Sequence, residues 1–232
     1  MSQKNGQIQN QRAKIYDELK QRIIFSRYKQ GTALNEKEIC EEFGISRTPY
    51  REALIKLESE GLVIIRPKTG VVVSPIDLQS LKDVFEMRTI LEGIAAKLAF
   101  TRIQPGHLEA LKGVAAKIED LSAEEDIFTY LKLDAEFHGI LYEAQGNLIL
   151  KEVLNGLYNQ CMRLWNSIED QDFITNLIKS SIRDIKKVYE AFVAGDPEAV
   201  ERLVKAHFTS YLHVLIAHFL GGLGDDFVSR RK

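Results

Sequence analysis

Apolar residues first recur at helical spacing in 12–27, where RAKIYDELKQRIIFSR sets Ile15, Leu19, Arg22/Ile23 and Ser26 near one face and basic residues elsewhere. The spacing predicts an amphipathic first helix. Gly31 and Thr32 then make a turn, and Asn35 with Glu38 three positions later has the spacing of a capping box. The short second helix this opens runs through Ile39 and Phe43 to Gly44, a residue type that takes the left-handed conformation without penalty. Ser46 is the expected cap of a third helix, in which Pro49 is tolerated because an early helical N–H has no intrahelical partner. Ala53, Leu54, Leu57 and Leu62 continue its apolar stripe, and Gly61 ends it. Residues 62–75 (LVIIRPKTGVVVSP) are β-branched on both sides of a turn at Pro67, Lys68, Thr69 and Gly70, the pattern of a hairpin. Three helices followed by a hairpin predict a winged helix-turn-helix.

From Ile76 onward the strand pattern stops and helical periodicity takes over, with segments at 76–101, 105–121, 123–145, 147–168, 171–194 and 197–220. Punctuation falls at Gln104/Pro105/Gly106, Leu121/Ser122, Gly146/Asn147, Glu169/Asp170 and Gly195/Asp196/Pro197. The predicted fold is mainly α: an N-terminal winged helix-turn-helix followed by an all-α antiparallel bundle of about six helices. The expected organisation is a flexible leader over 1–11, the winged head over 12–75, the helical body over 76–220 and a frayed tail over 221–232.

Composition narrows the classes. A chain of 232 residues with 45% hydrophobic and 28% charged positions has room for one large or two unequal packed domains and lies outside the regime of disorder. No apolar run approaches a membrane span, and MSQKNGQIQN has no signal-peptide core, so a cytoplasmic chain is expected. Two cysteines, Cys40 and Cys161, are too few and too far apart for a disulfide framework or a zinc finger. The net charge of −2 is divided unevenly: residues 1–75 carry 13 Lys and Arg against 9 Asp and Glu, and the rest carries 18 against 24. A basic head on an acidic body fits a polyanion-binding head.

In a helix-turn-helix the second helix of the pair enters the major groove with its N-terminal residues on base edges. Ile45 to Arg51 fill that position, and Arg47 is the candidate base reader because a guanidinium bonds guanine O6 and N7 together. Ser46, Thr48 and Arg51 suit phosphates, as does Lys37 at the start of the preceding helix. Lys68 and Thr69 at the hairpin tip, with Gly70 allowing close approach, suit the flanking groove or backbone.

These residues carry a resemblance. ALNEKEICEEFGISRTPYREALIKLESEGLVIIRPKTGVVV, residues 33–73, resembles the DNA-binding domain of the GntR family of bacterial transcription regulators. The resemblance implies DNA contacts from Lys37, Ser46, Arg47, Thr48, Arg51, Lys68, Thr69 and Gly70, and a homodimer on a short inverted repeat. Tyr50 stands where such proteins usually have a small aliphatic residue.

In the body, Asp134 and His138 are four apart on the stripe of Ile127, Leu131 and Leu141, His207 lies on that of Val200, Leu203, Val204, Tyr211 and Val214, and Arg88 interrupts Leu81, Val84, Phe85, Leu91 and Ala95. Buried charges are expensive unless paired, so inward Asp, His and Arg suggest a polar cavity; such a set can hold a divalent metal or clamp a carboxylate. Two plainer readings stay open: each inward His is a hydrogen-bonded core residue, and Arg88 ion-pairs with a neighbour such as Glu92. His213 and His218 compete for any metal role.

R-x-x-L-E at Arg88 to Glu92, D-x-x-x-H at Asp134 to His138, Gly146/Asn147 and AFVAGDPEAVERLVKAHF resemble the FCD effector domain of the FadR-like subfamily. That resemblance implies an effector pocket of Arg88, Asp134, His138 and His207, taking a small organic acid. It also implies a metal on an Asp and three His, of which Asp134, His138 and His207 match three. The fourth position falls at or next to Ile185, which cannot coordinate. The expectation is therefore either a three-ligand site for one divalent ion (zinc, nickel or manganese) or a degenerate, metal-free pocket. The function expected is a dimeric, effector-controlled repressor or other regulator binding operator DNA. The rival readings are a dimerisation bundle without effector and a metal-dependent hydrolase-like domain; no phosphate loop, nucleophile elbow or HExxH motif supports an enzyme.

Overall fold

Backbone hydrogen bonding follows the hydrophobic pattern through most of the chain in a computed structural model of the protein, which describes residues 14–121 and 127–220. The expected leader and tail, and the expected helix starts at 12 and 123, lie outside the described residues.

The described residues form two compact units. The first reaches through Leu78 and is joined by Asn159–Ser167; the second holds Gln79–Tyr158 and the chain from Ile168. In the first, helix α1 (14–24) leads to strand β1 (Ala33–Leu34), α2 (Glu36–Phe43), α3 (Arg47–Ser59), β2 (Val63–Arg66) and β3 (Gly70–Val73). The sheet has the order β1-β3-β2 and is antiparallel throughout, with Ala33 opposite Val72 and Val63 opposite Val73. The hairpin expected at 62–75 is therefore the larger part of a three-stranded sheet. At two residues, β1 is too short to show any alternation.

Ile15, Leu19, Ile23, Leu34, Ile39, Tyr50, Ala53, Leu54, Leu57, Leu62, Val63 and Val73 form one core. Tyr50 is part of it, 1% exposed, so the large ring fills space between α3 and β1. Charged residues of α1 fasten its neighbours: Arg22 bonds Glu18 (2.9 Å) and both oxygens of Glu42 on α2 (2.9 and 2.5 Å), while Lys20 reaches Glu60 (2.7 Å) just after α3. Asn35 caps α2 by accepting from the N–H groups of Lys37 and Glu38. Glu38 accepts from the Asn35 side-chain amide (2.8 Å) and not from the Asn35 backbone N–H, so the expected capping box is present only as its Asn35 half. Gly44 ends α2 with φ 60°, as its position predicts.

The second unit is built from α4 (Leu78–Arg102), α5 (Pro105–Glu119), α6 (Ile127–Ala144), the greater part of α7 (Leu148–Trp165), α8 (Gln171–Ala194) and α9 (Pro197–Leu220). Helix α5 packs on α6 and α8, and α8 on α6 and α9. Asp170 caps α8 by accepting from the Phe173 N–H (3.0 Å), and Gly195 ends it at φ 76°. Gln145, fully buried, fastens the α6–α7 turn: its amide donates to the carbonyls of Tyr142 and Asn147 (3.0 and 2.7 Å) and its oxygen accepts from the Asn147 N–H (2.9 Å).

Leu57 has no exposed surface and lies at the centre of the first unit's core. Leu57→Ala is expected to destabilise that unit by about 2–5 kcal/mol through lost burial and a cavity. Urea unfolding followed by circular dichroism checks this; a loss below about 1 kcal/mol speaks against a close-packed core there.

Candidate nucleic-acid interface and interior polar site

The eight residues expected to touch DNA are all exposed. Ser46 takes the N-cap position of α3, extended at φ −79° and ψ 171°, but its side chain makes no capping bond. The expectation of a Ser46 cap is corrected to that extent: the hydroxyl is not spent on its own helix. Helix N-termini favour anions because their first N–H groups point outward and carry the positive end of the helix dipole. Thr48 is exposed in the same turn. Arg47 and Arg51, one turn apart, both lie against Glu36 at the start of α2: Arg47 Nε is 3.2 Å from Oε1, and Arg51 Nη2 is 3.4 and 3.5 Å from the two oxygens. Exposed pairs of this kind contribute little, so a phosphate or guanine can displace Glu36. Lys37 is also exposed, 3.9 Å from Glu41. At the wing tip Lys68 has φ 66° and Gly70 φ 121°, and the Thr69 hydroxyl donates to the Pro67 carbonyl (3.2 Å). A lysine in the left-handed region is uncommon outside tight turns and turns its side chain away from the hairpin's regular alternation.

Four helix positions of α6 at a spacing of four, Tyr130, Asp134, His138 and Tyr142, make one inward polar stripe. Opposite His138 and Tyr142, α4 brings Arg88 and Glu92, which are 3% and 2% exposed and pair at 2.6 Å. Tyr142 donates to Glu92 Oε1 (2.5 Å), and His138 Nδ1 sits 3.5 Å from Glu92 Oε2 but outside hydrogen-bond geometry, so that buried nitrogen has no hydrogen-bond partner. The Arg88 guanidinium lies over the rings of Phe208 (4.3 Å) and Tyr158 (5.2 Å). Burial, the largest single influence, would raise the Glu92 carboxyl; the Arg88 charge together with His138 and Tyr142 outweighs it and brings it to about 2.

Asp134 accepts from Tyr130 (3.2 Å) and from Tyr158 of α7 (3.1 Å), with His138 Nε2 at 3.8 Å. Burial, seconded by the neighbouring carboxylates, pushes the hydroxyls of Tyr130, Tyr142 and Tyr158 upward, so each keeps its proton and donates. Tyr130 also donates to Ser181 of α8. His207 faces Asp184 of α8, with Nδ1 3.2 Å from Oδ2, and its ring lies 5.1 Å from Phe208 and 4.4 Å from Tyr211. Burial raises the Asp184 carboxyl, and His207 together with Lys187 and Arg183 outweighs that and holds it below its ordinary value.

The structure thus brings Arg88, Asp134 and His138 around Tyr158, while His207 stands apart from them as the partner of Asp184, related to His138 through Phe208. The pairing of Arg88 with Glu92 is the plainer of the two readings its sequence position allows. Among the described residues, no three His, Cys, Asp or Glu side chains are grouped to hold a metal ion. Both Asp134 oxygens already accept tyrosine hydroxyls, His207 has a carboxylate of its own, and Ile185 is a core residue, 3% exposed. The donors do not fit a resident metal. Sequence reasoning missed Glu36, Ser181, Asp184 and the four tyrosines at 130, 142, 158 and 211; the recurrence of Tyr130 and Tyr142 in step with Asp134 and His138 was the available signal.

Residues 83–210 match the FCD domain and residues 11–73 match the gntR family of bacterial regulatory proteins. The chain is 26% identical over 211 residues to a protein of Paenarthrobacter nicotinovorans named "Probable D-xylose utilization operon transcriptional repressor", covering 91% of each. It is 25% identical over 204 residues to the transcriptional repressor RspR of Escherichia coli (strain K12), covering 83% of each. The solved structure of E. coli McbR/YncC has the same fold, with TM-score 0.75 and 21% identity over 90% of this chain and 98% of that one.

Glu92→Gln leaves Arg88 buried without its counter-charge, with an expected loss of about 3–5 kcal/mol at neutral pH. Because the folded-state carboxyl is depressed, its contribution is complete above the ordinary carboxylate value of about 4.3 and is lost as pH falls toward about 2. The variant's stability should therefore vary less with pH across that window. Urea midpoints measured at several acidic pH values check it; an unchanged acid limb would remove Glu92 from the pair's energetics.

Proposed function

This chain belongs to the gntR family of bacterial regulatory proteins, in the group that carries an FCD domain, and is a transcription regulator, not an enzyme; we propose that it binds an inverted-repeat operator as a homodimer under control of a small organic acid held in the helical unit. The observation that carries the effector site is the buried, unpartnered His138 nitrogen beside the Arg88–Glu92 pair. Dimerisation is supported by Met87, Ile90 and Ile94, exposed on α4 at helical spacing. An effector changes operator affinity only by binding two conformations unequally, and a coupling of about 1–3 kcal/mol changes it about 5- to 150-fold.

On DNA, Arg47 is assigned to a base edge, Ser46, Thr48, Arg51 and Lys37 to phosphates, and Lys68, Thr69 and Gly70 to the flanking groove or backbone. The support is their exposure at the open end of α3 and at the wing tip.

In the interior, Arg88, Asp134 and His138, with His207 beyond Phe208, are assigned to the effector. An incoming carboxylate takes the Arg88 guanidinium from Glu92. Released from Arg88, Glu92 loses the strongest of the contacts that hold its carboxyl down while the burial that raises it remains, so Glu92 takes up a proton. Asp134, Tyr142 and Tyr158 also face this centre, and the tyrosines stay protonated. No metal takes part.

Two outcomes are expected. Arg47→Ala should weaken binding to a cognate duplex by about 1–3 kcal/mol and relax preference at one base, while Lys68→Ala should weaken cognate and random duplexes alike and lower the salt dependence; equal losses on both duplexes for both variants would overturn this division. Small carboxylic acids should bind with uptake of about one proton, more weakly as pH rises and indifferently to chelator, as read by titration calorimetry in buffers of different ionisation heat. Binding of D-xylose or another neutral polyol with no proton uptake would replace the acid.

A further inference from the structure

Arg163, on the last turn of α7, is 3% exposed and has no carboxylate partner among the described residues. Burial lowers it to about 10. Two of its three acceptors are backbone: Nη2 donates to the Ser74 carbonyl (2.6 Å), and Nη1 donates to the Gly61 carbonyl (3.4 Å) and the Gln160 side-chain oxygen (2.9 Å). Gln160 in turn donates its amide to the Glu60 carbonyl (2.7 Å).

The three carbonyls have particular places in the first unit. Glu60 is the C-cap of α3, and Gly61, at φ 70°, is the left-handed residue after it, so both oxygens lie at the negative end of that helix dipole. Ser74 directly follows β3, the second strand of the wing, and its N–H bonds the Leu62 carbonyl (3.0 Å). One guanidinium therefore ties the far end of the groove-reading helix to the base of the wing. A planar fork reaches two acceptors at fixed angles, which an ammonium does not.

We propose that Arg163, with Gln160, is a positioning residue for DNA reading: it sets the angle between α3 and the wing so that Arg47 and the wing tip meet their contacts together. This rests on the head being the DNA reader. Both residues lie within the stretch that matches the FCD domain but pack in the first unit. Tyr158, which donates to Asp134, is five residues before Arg163 on the same helix.

The test uses full-length protein and duplexes enriched by the wild type from a randomised pool, with a scrambled duplex of equal length as reference. Arg163→Lys keeps the charge and loses the fork; Gln160→Ala removes one carbonyl contact at a half-buried position; Arg163→Met removes every donor. The first two should melt with the wild type and bind scrambled DNA equally, yet lose about tenfold on the enriched duplex, and any folded Arg163→Met should lose more. Unchanged discrimination overturns the proposal, as does a parallel loss on both duplexes that accompanies a lowered melting temperature. If the wild type enriches no sequence, the DNA-reading assignment of the head fails first, and the proposal falls with it.

Discussion

The interior of the helical unit is organised by a guanidinium and a carboxylate, Arg88 and Glu92, both within a few per cent of complete burial. Removing two charges from water costs several kcal/mol each unless the geometry and the remaining hydrogen bonds compensate. The surroundings are arranged to do so. The guanidinium faces lie on Phe208 and Tyr158, and Glu92 accepts from Tyr142. Beside the pair, the Nδ1 of His138 is buried without a hydrogen bond. A core that needed only stability would be served as well by apolar side chains of the same volume. On the proposed function, retaining the pair gives an incoming anion a guanidinium to compete for.

The chain contains a second buried arginine solved differently. Arg163 has carbonyl dipoles in place of a carboxylate, and its surroundings bring its proton affinity down where Arg88 is matched charge for charge. The first arrangement depends on a side-chain carboxylate; the second depends mainly on the path of the backbone. They are joined by α7, which presents Tyr158 to Asp134 and Arg163 to the carbonyls of Gly61 and Ser74.

Much of this was legible in the sequence, because capping and glycine chemistry are local. Asn35, Gly44, Asp170 and Gly195 mark their helix ends where the pattern places them. Ser46 departs from its pattern: a serine ahead of a helix is a cap only if its hydroxyl turns inward, which spacing does not record. The pattern does not show β1 because its pairing partner lies far along the chain. In the body, periodicity finds the inward faces of Arg88, Asp134, His138 and His207 but not which of them meet. His207 shares a side with His138 yet is taken by Asp184 from a neighbouring helix. The tyrosines escape notice because an aromatic ring on an apolar stripe satisfies the pattern whether or not its hydroxyl has a use. Arg163 carries no sequence signal, since two of its three acceptors are main-chain atoms.

Main-chain acceptors also bear on how such a regulator diversifies. Every amino acid offers the same carbonyl oxygen, so the acceptors at positions 60, 61 and 74 survive side-chain replacement as long as the turn at Gly61 keeps its left-handed conformation. On the proposed reading, the bases met by α3 can then change through mutation of Arg47 and its neighbours while the tie between α3 and the wing stays as it was. A single sensor framework can in this way be inherited by descendants with new genomic addresses.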